Sequence, residues 1–575
     1  MTPNRSRPVF FSILLALLAP LMQARLQGQA APTQAGQQQS VQTAPAQAQT
    51  PIRDYIAAGW QTLSRSMSEC KSVVDPKLAT VSILYLPAGL ATPAAVRSMQ
   101  RRCRVEVRHL PRPIHFLGEV RPSELPVEGL LYLPNRYVVP GGRFNEMYGW
   151  DSYFILLGLV HDHQMGLARG MVENFFFEIE NYGAILNANR TYFFTRSQPP
   201  FLTSMIRTVY EAPGTTPDTK WLAHAYAMAK RDYALWTSPE HRAGETGLAR
   251  YRDLGEGPVP EMADDSSYYP DVIRWLLAHP GDHADYLVSV PANPTPAEEA
   301  ALDKATCDIH ASKVCAAAQV KGYRLSAAFY RGDRAMRESG FDTTFRFGPF
   351  SGSTDHYAPV GLNALLFKYE EDMAHFATLL HRPAEAEAWS RRAQARRAAM
   401  DKYLWNAGAG LYFDYDFVTG KASEYRYITT FYPLWAGAAA PAQAAAVRSH
   451  LADLERPGGL AMSDTASGVQ WDLPYGWAPT TWIAVDGLEK SGFHDDAARI
   501  AREFSATILD NYRRDGTLRE KYNVVSGTAN VQVATGYKAN VVGFGWTNAV
   551  YLKLQDLLGS TAPAPAKTAA AAGTR

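Results

Sequence analysis

The chain has 575 residues, with 57 Lys and Arg set against 56 Asp and Glu, a formal net charge of +1 and no block of like charge. That balance excludes a polyanion-binding surface, so a neutral partner is expected and a nucleic acid is not. The length allows several domains of roughly 100–200 residues or one large toroid, and does not choose between them.

Residues 1–30 read as a secretory signal peptide: Arg5 and Arg7 precede the apolar run Val9 to Met22, and Gly28 and Ala30 offer small residues before a cut. This predicts a mature protein that begins near Ala31 and is exported to the periplasm. The apolar run is shorter than the ~20 residues of a membrane span, so no membrane attachment is expected after cleavage. Residues 31–51, rich in Gln, Ala and Pro, read as a disordered leader, and 559–575 as a disordered tail. Ile52, Tyr55, Ile56, Trp60 and Leu63 have helical spacing and predict an opening helix. From about 72 to 121 the texture changes, and the strand-like runs Val81 to Leu86 and Val105 to Val107 predict a small α/β insertion. Four cysteines are an even count for an exported chain, which points to disulfides. Three connectivities are possible; nearness on one insert favours Cys70 with Cys103 and Cys307 with Cys315.

The stretch Pro140 to Tyr153 concentrates glycines, charge and aromatics. Gly141-Gly142 after Pro140 predict a tight turn. Arg143 leaves that turn, and Trp150, Asp151 and Tyr153 gather at the mouth of the apolar run Phe154 to Val160, which predicts a buried helix. Aromatic faces beside a guanidinium and a carboxylate suit a sugar pocket, because pyranose faces stack on rings while hydroxyls pair with charged groups. A charged helix cap packed by aromatics is the other reading.

Beyond Asp151 the pattern is almost wholly helical, as in Ala168, Met171, Val172, Phe175 and Ile179, with loops at 185–200 and 468–479 suited to carry chemistry. Residues of about 274–322, with Pro280, Pro291, Pro294, Pro296 and two cysteines, read as a second insertion. Asn187, Arg196 and Gln198 offer amides and a guanidinium that match vicinal hydroxyls. Asp342 follows Gly340 and Phe341; an apolar neighbour raises a carboxyl pKa, as a general acid requires, although alone such a residue reads as a helix N-cap. Trp471, Asp472 and Trp477 lie among prolines, a rigid loop able to stack a pyranose while the carboxylate orders its hydroxyls. Glu520 stands between Arg519 and Lys521, cations that favour the ionised form a base needs, though alone it reads as a solvated surface group.

Several of these stretches carry a resemblance. Pro140 to Tyr153 and Gln470 to Pro479 match the two signatures of the inverting α,α-trehalases at every fixed position, and the loop from Asn187 to Pro200, the segment around Asp342 and Gly543 to Asn548 are similar too. The resemblance implies an all-α fold, an (α/α)6 toroid of six helical hairpins with a small N-terminal α/β insertion, spanning 52–558. It implies hydrolysis of trehalose to two glucose molecules with inversion, Asp342 as general acid and Glu520 as general base. Arg143, Trp150, Asp151, Asn187, Arg196, Gln198, Glu261, Gly340, Trp471 and Asp472 would hold the disaccharide, in a monomer needing no metal or other cofactor. An (α/α)6 glucosidase for another α-glucoside and a carbohydrate-binding protein without turnover are the alternatives. Three positions depart from the pattern: Phe341 replaces a tryptophan, Val259 an arginine in a Pro-Arg-Pro-Glu segment, and Tyr537 a glutamate of the lid. Val259 and Tyr537 predict a leaving-group side with less charge, where position 259 could accept an arginine unless Lys538 or Arg274 fills in.

Overall fold

The computed structural model describes residues 50–75, 81–264, 267–281, 283–298 and 318–561. The segments read as signal peptide, most of the leader and most of the tail, and the expected Cys307–Cys315 pair, lie outside them.

Twelve of the described helices build the body. Six are inner: α2 (Gly149–His161), α4 (Leu202–Tyr210), α6 (Val360–Leu379), α8 (Tyr432–Ala436), α10 (Ala478–Lys490) and α12 (Gly545–Thr561). Each packs on the next, and α12 packs back on α2, so the ring is closed. Between them in the chain run α1 (Ile52–Thr62), α3 (Met165–Asn181), α5 (Thr219–Trp236), α7 (Pro383–Tyr403), α9 (Pro441–Ser449) and α11 (His494–Asp515). This inner–outer alternation makes the chain an (α/α)6 toroid.

Patterning explains which helix goes where. In α2, 10 of 13 residues are buried, polar Asp151 and Ser152 included, as a helix surrounded by others requires. By contrast α11 buries one stripe, Ala497, Ala501, Phe504, Ile508 and Tyr512, at helical spacing. The seam between α2 and α12 needs a glycine: a Cβ at Gly158 would stand 2.7 Å from Ala549 Cβ and 2.8 Å from the Trp60 ring.

Near the N-terminus, strand Ser82–Leu86 pairs in parallel with both Val105–His109 and Leu130–Leu131. Helix Ala94–Arg102 supplies the crossover that a parallel pair requires. Cys70 and Cys103 are joined by a disulfide, their Cα atoms 5.6 Å apart. Between α5 and α6 lie helices Tyr268–Ala278 and Ala327–Glu338 and an antiparallel sheet with Tyr323–Leu325 at its centre. Val259, Tyr268, Tyr269, Val272 and Phe329 form a separate apolar core there. The last helix runs past Leu558 to Thr561, so the stretch read as a tail begins inside α12.

The loops that carry the polar and aromatic motifs all lead into the N-terminal ends of inner helices. Trp150 and Asp151 occupy the first turn of α2, Arg196 and Gln198 precede α4, and Asp342 lies in the loop before α6. Trp471 to Trp477 precede α10, and Glu520 and Tyr537 precede α12. This end of the ring presents free backbone N–H groups and the positive ends of the helix dipoles, which suits a site rich in carboxylates.

Candidate active site

A cavity of about 670 Å³ opens at that end of the ring. Its floor is aromatic: the Trp471 and Trp477 rings stack 3.7 Å apart, and Trp150 lies 5.9 Å from Trp471 and 5.8 Å from Trp546. Gly340, at φ +76°, lets the loop pass over this floor, because a Cβ there would stand 2.9 Å from the Trp150 ring. Phe341 packs edge-on against Trp150 and Trp471.

Asp342 lines the cavity with its side chain 35% exposed, open to the pocket but enclosed by protein on its other sides. Burial pushes its carboxyl from 3.8 up to about 6, against the pull of Arg337 and Arg196. The Arg337 guanidinium approaches to 3.5 Å and is itself held by Asp333 at 3.2 Å, which in turn accepts hydrogen bonds from the Tyr268 and Tyr269 hydroxyls. Gln470 donates its side-chain amide to the Asp342 carbonyl.

Glu520 lines the same cavity from the loop before α12. Lys521 Nζ, fully buried, donates to its carboxylate at 3.1 Å, and Trp546 Nε1 donates to its backbone carbonyl at 3.1 Å. Burial holds the Lys521 ammonium below its usual range despite the Glu520 charge. Asp151 lies within electrostatic reach of both carboxylates; burial first, and then their charges, push its pKa well above the ordinary value.

Around these groups stand polar atoms that have no hydrogen-bond partner among the described residues: Arg196 Nε and Nη1, Glu261 Oε2 and Gln470 Oε1. These atoms are enclosed by protein, Arg196 Nη1 lying 3.7 Å from Asp253, while Arg196, Glu261 and Gln470 as residues line the cavity wall. Arg196 is oriented by an ion pair with Glu261 and by the Phe193 face 4.8 Å away. The Gln198 side-chain carbonyl accepts from Trp150 N–H at 2.9 Å, and Asn187 Nδ2 donates to Ser197 O at 3.2 Å. Arg143 lies at the mouth and donates to the Tyr537 hydroxyl at 3.2 Å. Glu338, fully buried at the end of the helix before Asp342, accepts from Ser197 N–H at 3.2 Å and Arg252 N–H at 2.6 Å and so ties the loop of Arg196 and Gln198 to that helix.

Of the residues expected from sequence, the cavity brings together Arg143, Trp150, Asp151, Asn187, Arg196, Gln198, Glu261, Gly340, Asp342, Trp471 and Glu520. Asp472 requires a correction. Its carboxylate is fully buried and turned into the acid loop, where it accepts from Thr344 Oγ1 at 2.7 Å, Phe345 N–H at 2.9 Å and Ser467 Oγ at 2.5 Å. It fixes the backbone just after Asp342 and is no cavity group. Position 259 is corrected as well: Val259 is fully buried in the apolar core with Tyr268 and Tyr269, its N–H donating to Tyr269 Oη at 2.9 Å, so no vacancy awaits an arginine. Arg274 does not reach in either, being 58% exposed and paired with Asp271. The cation beside Asp342 is Arg337, which sequence reasoning passed over; it is buried with Glu338 in the last turn of helix Ala327–Glu338. Gln470 was passed over too, while Lys521, expected to keep Glu520 ionised, does pair with it. Among the described residues no group of His, Cys, Asp and Glu could hold a metal ion, and no helix is long and apolar enough to cross a membrane.

The sequence model of the Trehalase family matches residues 94–559. The chain belongs to the trehalase family. It is 35% identical over 524 residues to a cytosolic neutral trehalase of Neurospora crassa, covering 84% of this chain and 65% of that one. It is 36% identical over 449 residues to the cytosolic neutral trehalase of Saccharomyces cerevisiae, covering 72% of this chain and 56% of the other. The chain thus spans less than two thirds of the length of these trehalases. The solved structure of neutral trehalase Nth1 from Saccharomyces cerevisiae is similar at TM-score 0.69 and 29% identity, over 88% of this chain and 93% of that one. The names of these family members overturn the expectation of an exported, periplasmic protein: the relatives are cytosolic.

Proposed function

We propose that this chain hydrolyses α,α-trehalose to one α- and one β-glucose, with Asp342 as general acid and Glu520 as general base. The observation that carries the reading is that two carboxyls open on one cavity in opposite surroundings. Asp342 is pushed up to about 6 by burial and so retains a proton to give, whereas Glu520 is ion-paired with Lys521 at 3.1 Å. Glycoside cleavage needs such a pair, one group protonating the leaving oxygen and the other acting from the opposite face of the sugar. The Asp342 proton passes to the glycosidic oxygen as the bond to the anomeric carbon breaks. Glu520 takes a proton from a water whose oxygen attacks that carbon from the other side, which inverts it. Trp150, Trp471, Arg196, Glu261 and Gln470 line the cavity and are the residues that would contact the sugar. Family membership and the names of the relatives support trehalose over other α-glucosides.

Proton NMR of the first products tests this. Inversion releases α- and β-glucose in equal amounts at early times; α-glucose alone would show retention and remove Glu520 from its role, and no glucose release from trehalose would remove the reading altogether.

A further inference from the structure

Arg196 stands at the cavity wall in a row of alternating charges that runs away from the cavity into the protein. Its Nη2 pairs with Glu261, and its Nη1 lies 3.7 Å from Asp253 Oδ2. Asp253 in turn accepts from Arg334 Nη1 at 2.9 Å and from Gly255 N–H at 2.7 Å. Asp253 and Arg334 are fully buried, and neither belongs to the cavity wall. Two cations and two carboxylates thus alternate, from Arg334 through Asp253 and Arg196 to Glu261.

Arg334 also shapes the loop that supplies both carboxylates. From helix Ala327–Glu338 its Nε donates to Gly257 O at 2.9 Å, and its Nη2 to Glu256 O at 3.0 Å and Pro258 O at 3.3 Å, so three successive carbonyls close around one guanidinium. Gly257, at φ +68°, permits that turn. Asp253 precedes the turn and Glu261 follows it. Between them Leu254 N–H donates to Thr195 O at 2.9 Å, which fastens the same loop to the residue before Arg196. At 3.7 Å Asp253 makes no hydrogen bond to Arg196 Nη1, so it acts on that guanidinium through its charge, in a buried place where charges interact more strongly than in water.

We infer that Asp253, held by Arg334, is a positioning residue for Arg196: its charge keeps the guanidinium over the Phe193 face, 4.8 Å away, where Arg196 lines the cavity. This rests on the hydrolase reading above. Without that charge Arg196 would meet the Arg334 cation with no carboxylate between them and would be drawn to Glu261 alone. A displacement of about 1 Å caused by a group remote from the reaction costs on the order of 10²-fold in rate.

The test is a double-mutant cycle on the full chain: trehalose kcat/KM for wild type, Asp253→Asn, Arg196→Gln and the double variant, with thermal unfolding to show that each is folded. Asp253→Asn alone should lower kcat/KM by about 10²-fold. In the Arg196→Gln background no cation remains to be placed, and the same change should cost no more than about 2-fold, the ordinary limit of additivity. A merely structural role would cost the same factor in both backgrounds. That result, or a wild-type value in Asp253→Asn, overturns the inference while leaving the hydrolase reading intact. If Asp253→Asn does not fold, Arg334→Lys takes its place in the cycle, with the same expected and overturning results. If the wild type releases no glucose from trehalose, the hydrolase reading fails, and the cycle is read on the dissociation constant of trehalose followed through tryptophan fluorescence. A loss of affinity confined to proteins that keep Arg196 supports the positioning role; equal losses in both backgrounds, or no binding by the wild type, overturn it.

Discussion

Replacing Asp342 with asparagine should make the protein more stable and nearly inactive, with the gain in stability confined to one side of a pH window. The carboxyl titrates near 3.8 when unfolded and at about 6 when folded, so between those values the folded state binds the extra proton. Stability therefore falls as pH rises through the window and stays lowered above it. A shift of about 2 units corresponds to about 3 kcal/mol. The pull of Arg337 is already contained in that shift, and because the side chain is 35% exposed to the pocket, solvent screening reduces the expected net gain to about 1 kcal/mol. Asparagine has nearly the same shape and no such titration. Thermal unfolding of both proteins across the window should show melting temperatures that coincide near the lower pKa and diverge above the upper one, with the variant higher. In parallel, kcat/KM for trehalose should drop by about 10²–10⁴-fold in the variant, and in the wild type it should fall as pH rises past about 6, when the acid loses its proton. A melting difference constant across the window, or one favouring the wild type at its upper end, would refute the reasoning.

Arg337→Gln removes the cation that pulls the Asp342 pKa down, so the alkaline limb of the kcat/KM profile should move to higher pH; an unmoved limb would separate Arg337 from the acid. Asp472→Ala deprives Thr344 Oγ1 and Phe345 N–H of their acceptor, at about 1–3 kcal/mol for each donor left buried, and should lower kcat far more than it raises KM. A rise in KM alone would return Asp472 to the cavity wall. Val259→Arg forces an unpaired guanidinium into an apolar core, which should cost roughly 3–5 kcal/mol in denaturant unfolding; a variant of wild-type stability would show that the position has room.

The helical texture of the body was legible from periodicity and from the dense motifs of the connecting loops, whereas the closed ring came from the resemblance. Trp150 and Trp471 stood out because their stretches are dense in aromatics and charge, whereas Asp342 alone reads as a helix N-cap and Glu520 alone as a surface group, and the resemblance supplied their roles. What the chain did not disclose is direction. Asp472 stands next to Trp471, yet the two side chains part, one to the cavity floor and the other beneath the acid loop, because Thr344 and Phe345 arrive there from far away in sequence. Arg337 was hidden in a different way. Only the packing of helix Tyr268–Ala278, which brings the two tyrosine hydroxyls to Asp333, explains why a guanidinium is buried beside the acid. Val259 shows the reverse case, a departure from a family motif that suggests a gap until the neighbouring apolar residues are seen to close it.

The seam at Gly158, where α12 comes to rest against α2, gives the ring a direction in time. Of the twelve barrel helices α12 emerges last during synthesis, and the loop that leads into it carries Glu520, Tyr537 and, at the first turn, Trp546. Until that helix docks, the Asp342 half of the site faces an open groove and the α2 face at Gly158 lacks its Ala549 neighbour. The walls can thus form first, and the proposed base arrives together with the piece that shuts the circle.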